Sequence, residues 1–367
     1  MKSQTRKKAT LLLEDGTTFT GNSIGKEGTS GGEICFNTGM TGYQEIYTDP
    51  SYHGQIIVNT TSHIGNYGAK DDEKENEKTS IKGLVVNDFS DGYSRPAATE
   101  SLQDFLEKNN TVGISGLDTR KLVRHIRTKG AMNAIISSEI EGSELQSELT
   151  KVPNMESLEL STKVTTNEVY EVGSGNNGYK IAVLDIGIKQ SILRNFEKRD
   201  CHCKVFPAEI SFEEMEAWQP DGYFLSNGPG DPAVMDYAIH TAKEILDASQ
   251  PLFGICLGSQ ILAKAVGIET YKMHHGHRGI NHPVKNLITG FSEITSQNHG
   301  FAVDMDSLKN SKEAELTHLD LNDNTVEGLR LNGKPAFAVQ YHPESSPGPH
   351  DSTYLFDDFI KLIKETK

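Results

Sequence analysis

LFGICLGSQ, at residues 252–260, is the stretch of sequence that decides the fold. Its first four residues are a short apolar run typical of a buried strand, and apolar residues at helical spacing follow. Between the two, Gly254 and Gly258 flank Cys256 in a cysteine form of the Gly-x-Ser-x-Gly nucleophile elbow. The glycines relieve crowding at a sharp turn, and the N-terminus of the next helix favours an anion. The context predicts a nucleophilic Cys256; a buried structural cysteine is the alternative.

Alternating strands and helices extend outward from this elbow. Short apolar runs at residues 181–184 and 223–226 predict buried strands, and helical spacing follows at 190–198 and 236–248. Such alternation predicts a mainly parallel sheet covered by helices on both faces, with the active site at the carboxyl ends of the strands. We therefore predict an α/β fold with a doubly wound, mainly parallel sheet for residues 179–367.

The first half of the chain has a different pattern. The Asp15-Gly16 turn separates two strand-like runs and predicts a β-hairpin, and more strand and turn signals follow. Residues 118–129 predict a helix capped by Asp118 and ended by Gly130, with a basic face that is either solvated or a docking surface. We predict a separate N-terminal α+β domain rich in strands at residues 1–160, and a linker at 161–178, which is rich in Ser, Thr, Asn and Gly.

A thiolate that cleaves an amide needs a proton carrier for the leaving ammonia. The sequence at residues 336–344, AFAVQYHPE, predicts a strand, on which His342 and Glu344 would point to the same face. Glu344 could then orient His342 toward the cysteine. A His-Pro-Glu tripeptide alone is more often a surface turn. It indicates a catalytic pair here because the same chain contains the nucleophile elbow. The N–H of Leu257 and one from the loop at residues 227–232, at Gly228, are the candidate oxyanion donors.

Composition excludes several classes of protein. The chain has 367 residues, enough for two domains, and a formal net charge of −15, which argues against a general nucleic-acid or anionic-membrane binder. No apolar run approaches the roughly 20 residues that span a bilayer. Four scattered cysteines suit a reducing compartment, and we expect a cytoplasmic protein.

Metal and nucleotide sites are not expected in this chain. The histidines of residues 273–278 and the Cys-x-Cys at 201–203 lack the spacing of zinc or iron ligand sets. Residues 21–27 superficially resemble a phosphate-binding loop, but the spacing is one residue short and Glu27 stands where magnesium needs Ser or Thr. Any ATP chemistry must therefore belong to another polypeptide.

Longer blocks of sequence resemble known families. The second half resembles the class I glutamine amidotransferases, which have a flavodoxin-like fold, through SNGPGDP at 226–232, FGICLGSQ at 253–260 and YHPES at 341–345. Other blocks resemble the small-subunit family of carbamoyl-phosphate synthase, and together the resemblance spans nearly the whole chain. These blocks stand at residues 36–52, 63–68, 116–133, 276–284, 297–303 and 342–351.

The resemblance implies roles for particular residues. Cys256 would form a γ-glutamyl thioester, with His342 and Glu344 completing a triad. Further residues would contact glutamine, and one of them, Ser51, would reach the site from the other domain. The implied glutamine contacts are Ser51, Gly228, Gly230, Leu257, Gln260, Asn298, Gly300 and Phe301.

The resemblance also implies a partner. Ammonia would pass through an internal passage to a large subunit, which uses ATP and Mg to make carbamoyl phosphate for arginine and pyrimidine synthesis. This chain would need no cofactor of its own, and a higher oligomer of heterodimers is a further expectation. The alternatives are an amidotransferase subunit of another synthetase, or a catalytically silent regulatory subunit. The second is motivated by Ser259, where the family usually has His; we expect altered tuning and not lost activity.

Overall fold

The computed structural model describes residues 6–174 and 178–367, which group into two compact units. Unit 1 runs to Met155 and also includes His274–Arg278. Unit 2 comprises Glu156–Met273 and Gly279–Lys367. Residues 175–177, part of the predicted linker, lie outside the described residues.

Unit 1 is built around a closed barrel with the strand order β1-β2-β8-β6-β4-β3-β9, and β5 pairs with β7 separately. Its strands are β1 (Lys8–Leu13), β2 (Thr18–Gly25), β3 (Thr29–Asn37), β4 (Gln55–Asn59), β5 (His63–Ile64), β6 (Gly83–Val85), β7 (Asp88–Phe89), β8 (Val112–Ser115) and β9 (Met132–Ser137). Its helices are α1 (Tyr43–Thr48), α2 (Leu102–Lys108), α3 (Thr119–Lys129) and α4 (Gly142–Leu149), with a 3-10 turn at Pro50–Tyr52. The prediction of a strand-rich N-terminal α+β domain is confirmed.

Two local predictions in unit 1 are also confirmed. Strands β1 and β2 form an antiparallel hairpin, with Leu11 opposite Phe19. Helix α3 begins after Asp118, whose carboxylate accepts a hydrogen bond from the Lys121 N–H at 2.9 Å, and stops at Gly130, where φ is +98°. It buries Leu122 and Ile126 against the barrel residues and leaves its basic side chains exposed, because its apolar residues follow the helical period.

Unit 2 is built on a ten-stranded sheet with the order β10-β12-β11-β13-β14-β19-β18-β17-β15-β16. Its strands are β10 (Tyr170–Val172), β11 (Lys180–Asp185), β12 (His202–Pro207), β13 (Gly222–Leu225), β14 (Leu252–Ile255), β15 (Thr270–Asn286), β16 (Ser292–Val303), β17 (Ala314–Asp320), β18 (Val326–Leu331) and β19 (Ala336–Val339). Its helices are α5 (Gln190–Glu197), α6 (Phe212–Glu216), α7 (Asp236–Asp247), α8 (Leu257–Ala265), α9 (Met305–Asn310) and α10 (Tyr354–Thr366), with 3-10 turns at Ser161–Lys163 and Pro232–Val234.

The centre of this sheet is parallel. Strands β12, β11, β13, β14 and β19 are parallel neighbours in that order, which is the flavodoxin-like arrangement in which the chain reverses direction across the sheet beside its first strand. Apolar residues of α7 and α8 cover one face, and those of α5 and α10 cover the other. The predicted doubly wound, mainly parallel sheet is confirmed, with antiparallel strands added at both ends.

The segment predicted as a linker differs from the structure. Strand β10, within that segment, pairs antiparallel with β12 at the edge of the sheet, with Tyr170 opposite Val205. Nearby, the Thr165 hydroxyl donates to the Asp185 carbonyl at 2.6 Å, and Thr166 N–H donates to the Asp185 carboxylate at 2.7 Å. The segment up to Val172 therefore belongs to unit 2. Its small polar residues resemble a linker in composition, but their hydroxyl and backbone groups are engaged by hydrogen bonds that composition does not reveal.

Across the described residues, no helix combines the length and the apolar character that crossing a membrane requires.

Candidate functional site

Cys256 lies on the sharp turn between β14 and α8. Its φ and ψ are +54° and −106°, a conformation rare for a residue with a side chain, and strain of this kind concentrates at functional sites. The neighbouring glycines are required by close packing: a Cβ on Gly258 would lie 2.2 Å from the Leu225 carbonyl oxygen, and one on Gly254 would lie 2.7 Å from that of Gly258. The turn holds the Cys256 side chain at the N-terminus of α8, as the elbow pattern predicts.

His342 and Glu344 lie beside each other in the buried interior. The Nδ1 atom of His342 is 2.7 Å from Oε1 of Glu344, and both side chains are at most 2 % exposed. The backbone N–H of His342 donates to the Ser296 carbonyl at 2.8 Å, which holds the histidine against β16. Its Nε2 atom has no hydrogen-bond partner among the described residues. This nitrogen is therefore available to the Cys256 sulfur.

The Cys256 thiol donates to the Asn298 carbonyl oxygen, 3.6 Å from the sulfur, and the sulfur is also close enough to the His342 imidazole to act on its charge. Burial by itself lowers the pKa of His342, but the Glu344 carboxylate and the nearby sulfur together raise this pKa to about 10. A raised pKa favours the imidazolium form at neutral pH. An imidazolium next to sulfur can stabilise a thiolate and later donate a proton to a leaving group.

Lys189 is a functional candidate that the sequence reasoning missed. It follows β11, and its Nζ atom donates to Oε1 of Glu344 at 2.8 Å, with only 3 % of its side chain exposed. Burial raises the pKa of Glu344, but the Lys189 ammonium and then His342 lower it to about 2. Lys189 therefore keeps Glu344 ionised in the interior. The only signal in the sequence was a charged residue in the loop after a buried strand, at the edge where such sheets bind ligands.

One expectation about His342 is wrong in detail. The sequence predicts a strand continuing to Glu344, whereas β19 ends at Val339 and His342 forms an isolated bridge with Ser296. Pro343 cannot donate a ladder hydrogen bond, so regular pairing stops before it. His342 and Glu344 still meet because of the tertiary contacts just described.

The two candidate oxyanion donors are neighbours. A Cβ on Gly228 would lie 1.9 Å from the Ile186 carbonyl oxygen and 3.0 Å from a methyl carbon of Leu257. The loop after β13 therefore approaches the start of α8 so closely that only glycine fits at Gly228. Gly230 in the same loop has φ of +102° and bridges to Glu159. The geometry brings Gly228 next to Leu257, the residue that follows Cys256, and the roles of Gly228, Gly230 and Leu257 stay a prediction.

The other implied glutamine contacts of unit 2 lie on α8 and β16. Gln260 donates from Nε2 to the Phe301 carbonyl at 2.9 Å and to Oε1 of Gln340 at 3.0 Å. Asn298 accepts from the Cys256 thiol through its carbonyl, and Gly300 lies between Asn298 and Phe301. These hydrogen bonds hold β16 next to the elbow. Contact with glutamine stays a prediction for each.

Ser51 belongs to unit 1. It lies in the 3-10 turn at Pro50–Tyr52, where its backbone N–H donates to the Asp49 carboxylate at 2.9 Å, and it is 7 % exposed. The Asp49 side chain thereby caps the turn and fixes the backbone at Ser51. Its contact with glutamine also stays a prediction.

Comparison with known proteins covers both halves of the chain. Residues 11–136 match the family described as "Carbamoyl-phosphate synthase small chain, CPSase domain", and residues 182–362 match "Glutamine amidotransferase class-I". The chain is 48 % identical to the carbamoyl phosphate synthase small chain of Chlorobaculum tepidum over 98 % of each protein. It is 46 % identical to that of Aquifex aeolicus, covering 98 % of this chain and 100 % of the relative. The chain belongs to the carbamoyl-phosphate synthase small chain family.

Membership in the carbamoyl-phosphate synthase small chain family confirms the resemblance drawn from the sequence blocks, and it accounts for both units. The relative from Nostoc sp. is 47 % identical over 98 % of this chain and 96 % of its own length. The class I amidotransferase match contains all three residues of the candidate triad and the buried Lys189. The family's two regions thus correspond to the barrel-containing unit and to the doubly wound unit.

Proposed function

We propose that this chain is the glutamine-hydrolysing subunit of a carbamoyl-phosphate synthase. The observation that supports this most strongly is the buried His342–Glu344 pair, 2.7 Å apart, beside a strained Cys256 at the N-terminus of α8. These groups supply a nucleophile, a proton carrier and an orienting carboxylate, which are the requirements for cleaving an amide.

The proposed chemistry has two steps. The Cys256 thiolate attacks the side-chain amide carbon of glutamine and the C–N bond breaks, which leaves a γ-glutamyl thioester on the cysteine. His342 donates its proton to the leaving nitrogen, which departs as ammonia. A water molecule then attacks the thioester with His342 as its base, releasing glutamate and restoring the thiolate. The N–H groups of Leu257 and Gly228 would stabilise the negative oxygen in both steps. Glu344, held ionised by Lys189, orients the imidazole and stabilises its charge.

We further propose that the ammonia passes to the large synthetase subunit of the same enzyme, in the cytoplasm. There it would join bicarbonate in an ATP- and Mg-dependent reaction that gives carbamoyl phosphate for arginine and pyrimidine synthesis. Family membership and the small-chain names of the relatives support this assignment. The chain itself would contribute glutamine hydrolysis, and a higher oligomer of heterodimers is part of the proposal.

Thioester trapping tests the proposal. The wild-type chain, alone and with a large subunit, is incubated with labelled glutamine, quenched in acid and assayed for label bound to protein. We expect bound label in the wild type and none in Cys256→Ala. Cys203→Ala is the matched control, because Cys203 is a buried cysteine of β12 in the same unit, and it should retain the label. A folded wild-type chain that binds no label would indicate a silent regulatory subunit and refute the proposal.

A further inference from the structure

Helix α3 in unit 1 presents a set of cations that the proposed chemistry does not use. Lys and Arg occupy five of its eleven positions, and no acidic residue lies within it. All five side chains are exposed, although the whole chain carries a formal net charge of −15. We call this set the basic face; it consists of Arg120, Lys121, Arg124, Arg127 and Lys129.

The basic face is almost without electrostatic compensation. Among the described residues, none of its five cations pairs with a carboxylate, and the one ion pair of the helix joins His125 to Asp15 at 2.7 Å. Lys121 instead lies 5.8 Å from the centre of the Phe19 ring. Charge on this surface is therefore available to an external group.

Helix stability does not explain these cations. Arg120 and Arg124 are four residues apart, and like charges at this spacing destabilise a helix by about 0.2–0.5 kcal/mol per pair. Arg120 and Lys121 also lie in the first turn, where the helix dipole disfavours positive charge. Only Arg127 and Lys129, in the last turn, are favourably placed. A helix selected for stability alone would carry acidic residues at its start.

The surroundings of the basic face suit a protein surface. A hollow of about 450 Å³ lies on one side of the helix, lined by Thr60, Val123 and the three arginines, and a second hollow lies toward Phe19. The half-buried Val123 and Phe19 add apolar contact area between the charges. Arginine guanidinium groups bind carboxylates through two parallel hydrogen bonds, so the matching surface is one rich in Asp and Glu side chains.

We propose that the basic face of α3 is a docking surface for an acidic patch on the large subunit of the synthetase. This inference rests on the proposed function, which supplies the partner, and it adds where on unit 1 that partner is held. The opposite charges would speed association and select the orientation of docking, because charge complementarity acts mainly on the rate of encounter and on specificity. Binding through this face should therefore weaken as salt concentration rises.

The test measures binding of the full chain to the purified large subunit. The variant Arg120→Glu/Arg124→Glu/Arg127→Glu reverses the centre of the face, and we expect its dissociation constant to rise by about 30-fold or more at 0.1 M salt, mostly through slower association. The neutral variant Arg120→Gln/Arg124→Gln/Arg127→Gln should fall between it and the wild type. It keeps strong helix formers in α3, so a folding defect in the charge-reversed protein cannot decide the result.

The matched control is Lys309→Glu/Lys361→Glu/Lys364→Glu, which makes the same change of net charge at exposed lysines of α9 and α10. We expect it to bind within about threefold of the wild type, since exposed charges outside the proposed contact are largely screened. Glutamine thioester formation by the isolated chain is measured for every variant and should not change.

Three results would overturn the docking proposal. The first is equal affinity of the charge-reversed and wild-type chains for the large subunit. The second is a loss of affinity in the lysine control as large as that in the charge-reversed chain. The third is a charge reversal that changes only binding of a short RNA or self-association. In each, thioester formation by the wild type would leave the proposed function standing. A wild-type chain that forms no thioester would refute the proposed function separately.

Discussion

The basic face of α3 and the buried set of Lys189, Glu344 and His342 use charge in opposite ways. In the buried set of unit 2, all three charged groups are removed from water and directly paired, with 2.7–2.8 Å contacts on one carboxylate oxygen of Glu344. In unit 1 five cations stay in water, and none of the five has a carboxylate partner among the described residues. Desolvating a charge costs several kcal/mol, so buried charges persist only where they are paired. Exposed charges cost little and are free to act at a distance.

The largest effect is expected for Glu344→Gln. An amide cannot stabilise the imidazolium, so the rate of thioester formation should fall by about 10² to 10⁴-fold. The pKa of His342 should also drop, because the Glu344 charge raises it. Stopped-flow or rapid-quench assays across pH measure both, and the alkaline limb should move to lower pH. Glu293→Gln, at a carboxylate bonded to Tyr354, is the control and should keep its rate.

Lys189→Met removes the ammonium that pairs with Glu344 and keeps the carboxylate. It leaves an uncompensated carboxylate in the interior, and the free energy of unfolding should fall by about 3–5 kcal/mol. Urea unfolding followed by Trp218 fluorescence measures this, because the single tryptophan lies in unit 2.

The double variant Lys189→Met/Glu344→Gln removes both charges and keeps side chains of similar size. With both charges removed, much of the lost stability should return, while the rate stays as low as in Glu344→Gln. Equal stability of Lys189→Met and the wild type would show that the two buried groups do not depend on each other.

The free energy of unfolding of unit 2 should depend on pH through His342 and Glu344. The folded pKa of His342 is about 10 against an ordinary 6.5, so its contribution is complete below pH 6.5 and is lost as pH rises through 10. We expect the free energy of unfolding to decline by up to about 5 kcal/mol over this range, and a flatter curve for His342→Gln. The folded pKa of Glu344 is about 2, so its contribution is lost as pH falls from 4.5 toward 2. Identical curves for the two proteins above pH 6.5 would contradict this.

The smallest effect on stability is expected at the basic face. Arg120→Gln/Arg124→Gln/Arg127→Gln should leave the free energy of unfolding within about 0.5 kcal/mol of the wild type, or raise it slightly, because like-charge repulsion is relieved. Urea unfolding followed by circular dichroism at 222 nm measures this for the whole chain. A loss as large as that of Lys189→Met would mean that the cations are structural and would remove the contrast between the two regions.

Local elements were predictable where one short stretch contains the whole cause. The hairpin of β1 and β2, the capped helix α3, and the strand, turn and helix around Cys256 all follow from periodicity and from turn residues in adjacent positions. The edge strand β10 was missed because the strand that pairs with it, β12, is about 30 residues away in the chain. Lys189 was missed for a similar reason, since its partner Glu344 is 155 residues away and no residue near Lys189 indicates an ion pair.

By itself, the sequence determined the type of the elements around the elbow, the first hairpin and helix α3, the position of the cysteine on its glycine-flanked turn, and the expectation that His342 and Glu344 act together with that cysteine. Tertiary structure alone decided that the N-terminal strands close into a barrel and that Lys189 meets Glu344, 155 residues later. The physical reason is that side-chain period and backbone turns act over a few residues. Burying a charge requires a partner that only the folded sheet brings within hydrogen-bond distance.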